Sequence, residues 1–188
     1  MPLRCAASLA RMAGPERGPL VVPVTELVRR PGSHKHVSTT ISADGLALPD
    51  VRVPDGAPVA VDVELDALGD GVVVHGTVSA PWEATCRRCL QPARGQAVAV
   101  VEEVYQVRPT SEEAFTFDGD AIDLAPLVRE NLLVELPLAP LCRDDCAGLC
   151  PLCGADRNAE PCGCETRPSD PRWDALEALK AQLEPPVA

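Results

Sequence analysis

"PVAVDVELDALGDGVVVHGTVSAPWEATC", residues 58–86, places Val59, Val61, Val63 and Leu65 on one face of an extended chain and Asp62, Glu64 and Asp66 on the other. A period of two is the signature of a strand with one dry side and one wet side, because successive side chains leave opposite faces of the pleat. Gly69-Asp70-Gly71 supplies a turn, and the stretch from Val72 onward returns as the partner strand, with Pro81 expected at an edge or bulge because it has no N–H to give to a ladder. "CRRCLQPARG" (86–95) is the next reversal and "QAVAVVEEVYQV" (96–107) a third long strand. Residues 58–107 therefore predict an antiparallel meander, one face of which needs a cover.

The flanks supply it. On the N-terminal side, "VPVTELVRRPGSHKHVSTTIS" (22–42) reads as a helical turn over 25–30, a stop at Pro31-Gly32, and a strand over about 35–41. On the C-terminal side, "DLAPLVRENLLVELP" (123–137) repeats Leu124, Leu127, Val128, Asn131 and Leu132 at helical spacing, with Asp123 as the expected cap and Pro137 as the stop. A second helix is predicted over "SDPRWDALEALKAQL" (169–183), capped by Asp170, opened by Pro171, and carrying Trp173, Leu176, Leu179 and Leu183 on one stripe. The fold class expected is α+β: an antiparallel meander packed with a few helices, followed by a cysteine-rich knuckle segment and a C-terminal helix. The domain reading is a disordered extension over 1–19, a sheet domain with its covering helix over 20–136, and the knuckle segment with its helix over 137–184.

Composition narrows what such a chain can do. Apolar residues make up 46% of 188 residues but aromatics only 3%, so the core is built from Val, Leu and Ala, and a base-stacking face rich in Phe and Tyr is excluded. A net charge of -11, from 28 acidic and 17 basic residues, excludes a wholesale nucleic-acid coat, since affinity for phosphate comes from Lys and Arg displacing counterions. No run approaches the roughly 20 apolar residues that span a bilayer. The first nineteen residues have no apolar signal core, and the chain is read as cytoplasmic. In a reducing compartment nine cysteines are seldom a disulfide framework, and an odd number cannot all pair.

Six of those nine, Cys142, Cys146, Cys150, Cys153, Cys162 and Cys164, fall within residues 141–164. "CPLCG" (150–154) is a knuckle, two thiols two residues apart before a glycine that lets the backbone aim amides at sulfur. Residues 137–170 hold five prolines, few large apolar side chains and no periodicity, so area burial cannot fix their shape. A structural Zn²⁺ can, since its binding supplies on the order of 10 kcal/mol of folding free energy. The expected ligands are Cys150, Cys153, Cys162 and Cys164. Cys86 and Cys89, across the reversal of the meander, can build a second site with Cys142 and Cys146; the competing readings of that pair are a redox pair or two plain thiols. Cys5 stands alone.

Two windows, 28–43 and 84–101, contain no acid, and together they hold Arg29, Arg30, Lys35, Arg87, Arg88 and Arg94. If they meet on the fold they form one RNA-binding patch; otherwise they are a solvated loop and an ordinary turn. Arg87 and Arg88, set between two thiols, have the further reading of offsetting thiolate charge. His34, His36 and His75 show no catalytic spacing, and neither a Ser/His/Asp set nor a phosphate-cradling glycine loop is present, so no enzymatic activity is expected.

With "CRRCL", "LCRDDCAGLCPLCGADRN", "CGCE" and "DPRWDALEALK" in that order, the chain resembles the YceD-like family of large ribosomal RNA subunit accumulation proteins over roughly residues 20–183. In that family the C-x-x-C is the widely shared part, and the six-cysteine segment belongs to some members. The resemblance implies a non-enzymatic role in the synthesis, processing or stability of 23S rRNA and in large-subunit biogenesis. The expected partner is rRNA or a pre-ribosomal particle, met directly or through a basic ribosomal protein. The alternatives are an acidic module that chaperones such a basic protein, or a cysteine-based redox sensor.

Overall fold

The computed structural model describes residues 18–109 and 114–164 and, singly, Arg172, Leu176 and Leu179. The expectation of a disordered extension over 1–19 lies almost wholly outside the described residues. The chain divides into two compact units, Met1–Ala84 with Arg94–Leu138, and Thr85–Ala93 with Ala139–Ala188. The expected division after residue 136 follows chain order; the structure adds to the second unit the tip of the central hairpin.

In the first unit the alternation of residues 58–67 becomes strand β4. The elements in chain order are β1 (Val21–Pro23), α1 (Thr25–Val28), β2 (His34–Ser42), β3 (Val51–Arg52), β4 (Pro58–Ala67), β5 (Gly71–Thr85), β6 (Pro92–Gln106), β7 (Phe115–Thr116), β8 (Ala121–Asp123) and α2 (Ala125–Glu135). The main sheet runs β2-β4-β5-β6-β7, with β3 pairing β5 off that path; β1 and β8 form a separate antiparallel pair. β1–β8, β2–β4, β3–β5 and β4–β5 pair antiparallel, and β6 with β7 is parallel and confined to Tyr105–Phe115 and Gln106–Thr116. The class is α+β, mostly sheet with few helices.

Pro81 sits in mid-strand without breaking the sheet because its neighbour changes there. β4 pairs with β5 only as far as Ala60–Ser79, and β3 takes over at Val51–Ala84 and Arg52–Glu83. The missing N–H of Pro81 falls in the gap between the two partners.

Val59, Val61, Val63 and Leu65 of β4, Val72, Val74, Val78 and Ala80 of β5, and Ala97, Ala99 and Val101 of β6 are buried, and they share one core with Leu124, Leu127, Val128, Leu132 and Leu136 around α2. Each fully buried Val or Leu contributes about 1.5–3 kcal/mol, so the core of this unit is aliphatic burial and little else. Leu124, expected on the helical stripe, is the residue that flanks α2, while the Asp123 carboxylate accepts the N–H of Ala125 at 2.9 Å, and Leu136 turns the chain out of the helix before Pro137. Asn131, counted in the same stripe, is half-buried and donates back to the Leu127 carbonyl at 3.0 Å. Tyr105 stacks on Phe115 with ring centroids 5.1 Å apart and donates to the Asp123 carbonyl, which joins the ends of β6, β7 and β8.

The wet face of the sheet carries the acids of β4, and histidines flank them. His36 Nε2 lies 2.6 Å from Asp62 and His75 Nε2 lies 2.8 Å from Asp66. Of the helix expected over 169–183, Leu176 and Leu179 are helical and the remainder, Arg172 apart, lies outside the described residues.

Gly76 pairs with Val63 in this sheet at a φ of 148°, where L side chains are strained. A Cβ there would lie 2.3 Å from the carbonyl oxygen of Asp62 and 2.7 Å from the Cα of Val63. Both obstacles are backbone and cannot swing away. Gly76→Ala is expected to lower the unfolding free energy of the first unit by about 2–4 kcal/mol, read from the urea midpoint of its far-UV signal.

Candidate metal centre

Among its described residues the second unit buries almost no aliphatic side chain. Its buried apolar residues among those described are Cys86, Cys89, Ala93, Pro140, Cys146 and Cys150. What the sheet unit buries as valine and leucine, this unit buries mainly as sulfur.

The eight cysteines gather as two quartets, Cys86, Cys89, Cys142 and Cys146, and Cys150, Cys153, Cys162 and Cys164, with all four sulfurs of each quartet within 4.8 Å of one another. Each can hold a metal ion. The spacing is informative, because four sulfurs held tetrahedrally at about 2.3 Å from one ion sit about 3.8 Å from each other, whereas a disulfide requires about 2.05 Å. The measured separations are 3.5 Å for Cys89–Cys142 and 3.8 Å for Cys86–Cys146. None of the eight is in a disulfide.

Two knuckles of the same design start the quartets. In the first, the N–H of Leu90 reaches the carbonyl of Cys86 at 3.0 Å; in the second, the N–H of Gly154 reaches the carbonyl of Cys150 at 2.9 Å. The residue after each second cysteine is left-handed, with φ of 61° at Leu90 and 74° at Gly154. This turn points successive amides at the first sulfur. Burial pushes the Cys86 thiol up, but the amides of Cys89, Cys142 and Arg88 outweigh it and bring the pKa down to about 6. At Cys150 the amides of Cys153 and Leu152 do the same against burial, again to about 6.

The partners move the other way. The Cys89 sulfur and burial raise Cys142 to about 12, and the Cys153 sulfur and burial raise Cys164 to about 12. Cys89 rises although the Gln91 amide favours its thiolate, and Cys162 rises although the Cys164 amide does so, because burial and neighbouring sulfurs oppose a further negative charge. Each quartet thus favours one thiolate and resists the next, the imbalance that a cation at the centre removes.

The structure places the basic candidates apart. Arg29, Arg30 and Lys35 belong to the first unit at the start of β2, where Arg29 pairs with Glu26 at 3.3 Å and Lys35 donates to the Pro23 carbonyl at 2.9 Å. Arg94, also in the first unit, lies near the start of β6. Three strand spacings, about 14 Å, separate β2 from β6, and the register sets Lys35 beside Leu65 and Val74 while Arg94 lies near the far end of β5, roughly 30 Å along. The two acid-free windows do not form one patch within this unit, since strand order keeps them apart. Arg87 and Arg88 are in the second unit, exposed at the hairpin tip, and Arg88 donates to the carbonyl of Cys146 at 2.9 Å. That contact sets a guanidinium beside a quartet, on a backbone oxygen and not on a sulfur.

Two residues that bear on the site carry no ligand atom. Leu90 occupies the left-handed position that Gly154 fills in the other knuckle; comparison of "CRRCL" with "CPLCG" is the signal that could have found it. Asn158 donates from Nδ2 to the Cys146 sulfur at 3.5 Å, and nothing in the sequence singles it out. Leu90 is 65% exposed, so its side chain holds little buried area in exchange for the strain. Leu90→Gly is expected to stabilise the second unit by about 0.5–1 kcal/mol, measured as slower protease cutting between residues 140 and 164.

Comparison with known proteins agrees with this layout. The family described as "Large ribosomal RNA subunit accumulation protein YceD" matches residues 74–180, a span that holds most of β5, all of β6 and α2, and all eight clustered cysteines. "Uncharacterized protein Rv2926c" of Mycobacterium tuberculosis is 32% identical over 181 residues, covering 89% of this chain and 87% of its own. "Uncharacterized protein ML1660" of Mycobacterium leprae is 34% identical over 172 residues, covering 87% of this chain and 78% of its own. "Large ribosomal RNA subunit accumulation protein YCED homolog 1, chloroplastic" of Arabidopsis thaliana is 24% identical over 179 residues, covering 76% of this chain and 56% of its own. No solved structure matches. A hairpin that carries one C-x-x-C at its tip, a helix, and then the cysteine segment is what the matched span contains, and the chain belongs to the YceD family of large ribosomal RNA subunit accumulation proteins.

Proposed function

We propose that this protein is a non-enzymatic factor that supports accumulation of 23S rRNA, and with it assembly of the large ribosomal subunit, and that two structural Zn²⁺ ions hold its second unit in shape. Membership of the family carries the biological half of this reading. The physical half rests on the quartets: every ligand position is a thiol, so a tetrahedral cation is left no open position for a substrate or an activated water. The protein's own residues then do two things. The thiols close the cage, and the knuckle amides hold negative charge on its sulfurs.

Elemental analysis of the purified chain is expected to give two Zn²⁺ per molecule, falling to one in Cys150→Ser/Cys153→Ser. Chelation is expected to increase protease cutting between residues 140 and 164 while the far-UV signal of the sheet unit persists, because the first unit has an aliphatic core and the described residues of the second bury mainly cysteine. Full retention of protease resistance in a metal-free chain would refute the zinc half.

A second reading, contact with the particle through a basic ribosomal protein, is favoured by one observation. The basic windows of the first unit lie far apart, while Asp62, Glu64 and Asp66 form a continuous acidic column on the wet face of β4. Pull-down of the tagged chain from cells, with and without nuclease, separates the two routes. Loss of ribosomal proteins after nuclease supports direct RNA contact, and their retention supports the protein-mediated route.

A further inference from the structure

The two quartets are wired to each other. Residues 147–149 are held on one side by the first knuckle, where the N–H of Leu149 donates to the carbonyl of Arg88 at 2.9 Å. On the other side they are held by the loop of the second quartet, where the N–H of Arg157 donates to the carbonyl of Gly148 at 3.0 Å and Leu149 bridges Asp156. Cys150 follows at once, its N–H on the carbonyl of Ala155 at 2.8 Å.

Asn158 completes the connection. It lies in the loop between Cys153 and Cys162, yet its amide nitrogen donates to the sulfur of Cys146, a member of the other quartet, at 3.5 Å. Its orientation is fixed chemically. Oδ1 receives both the N–H of Ala147 at 2.8 Å and the Arg143 guanidinium at 2.9 Å, and only an oxygen can accept two donors. The amide nitrogen must then face Cys146 and the Asp156 carboxylate, 2.7 Å away. Asp156 also receives the backbone N–H of Asn158 at 2.9 Å, so within the closed loop the side chain has one orientation.

We infer that the Cys150/Cys153/Cys162/Cys164 cage organises the Cys86/Cys89/Cys142/Cys146 cage through Asn158, so that the two metal ions bind with positive cooperativity. This rests on the reading of both quartets as metal cages. The mechanism is an outer N–H···S bond: it orients Cys146 toward the centre, and it is in place only while the loop from Cys153 to Cys162 is closed. Closing that loop is what the second ion does. Linkage makes the effect mutual, so filling either cage tightens the other by the same factor. Asn158 is a positioning residue and binds no metal itself.

The test uses Co²⁺ on the full-length reduced chain, with thiolate-to-metal charge transfer and d–d bands as the signal and a competing chelator setting the affinity. The intact chain is expected to take two Co²⁺. Opening the second cage with Cys162→Ser/Cys164→Ser is expected to weaken the first by about 10–100-fold, the range typical of lost outer-shell partners. Asn158→Ala is expected to weaken the first cage by a similar factor, and to add little when combined with the open cage, because both changes remove one interaction. Its charge-transfer band should move to lower energy for the first cage alone, which a loosened loop without an N–H···S bond would not produce. Asn158→Asp keeps the acceptor for Ala147 and Arg143 but turns an oxygen toward Cys146. It should show the same weakening, and it serves if the alanine variant fails to fold. Two Co²⁺ bound by the intact chain, with first-cage affinity unchanged within twofold in all these variants, would overturn the coupling alone. An intact chain that gives no thiolate-to-cobalt bands would overturn the metal reading and the coupling together.

Discussion

Four sulfurs brought within 4.8 Å of one another cannot all carry charge unless something positive stands among them. This constraint governs the second unit. Its backbone favours ionisation at Cys86 and Cys150, each brought to about 6, and neighbouring sulfurs with burial then oppose it at Cys142 and Cys164, each raised to about 12. The metal-free quartet is a set of groups arranged for a charge state it cannot reach alone. Oxidation would relieve the repulsion differently, but separations of 3.5 and 3.8 Å would have to shrink to about 2.05 Å, and a knuckle closed by a bond from Leu90 N–H to Cys86 resists that collapse. Geometry therefore favours a shared cation over a disulfide.

The first unit obeys a different rule, and the two rules explain why the chain has two compact parts. From β4 to α2 the core is Val, Leu and Ala in one cluster, and removing a metal should leave it standing. In the second unit most of the buried side chains among the described residues belong to the two quartets. On the proposed metal reading, stability there is an affinity that follows the concentration of free metal in a way that aliphatic burial does not.

What the sequence disclosed follows the same division. A period of two located β4 and β5 to within a residue, since patterning along one strand is local information, while β6 begins at Pro92, four residues before the expected start, inside the stretch read as the reversal. The position of Pro81 was legible as an edge feature, but the handover from β4 to β3 that makes it harmless was not, because it depends on a two-residue strand thirty positions away. The acid-free windows were equally visible, and whether they meet was not: strand order decides that, and β4 and β5 lie between β2 and β6. At the site, spacing pointed to the ligands but not to Asn158, whose partners Arg143, Cys146 and Ala147 are 11–15 residues away in a stretch without periodicity. Leu90 was hidden for another reason, since a leucine gives no hint that its backbone is left-handed.

Charge links the site to the choice of partner. The formal -11 counts every cysteine as neutral. A cage of four thiolates about one divalent cation carries -2, so filling both takes the chain from -11 to about -15. Exposed Arg87, Arg88, Arg143 and Arg157 share the second unit with the cages, and Arg88 already donates to a cysteine carbonyl there. Guanidinium groups that face thiolate clusters are partly neutralised, so they contribute less to a field that draws phosphate than an isolated arginine cluster would. Metal loading should thus shift the balance of the whole chain toward basic partners, and any RNA contact has to come from local arginines working against that field. A ribosomal particle presents both surfaces, basic proteins and phosphate, and a chain of this charge is better matched to the first.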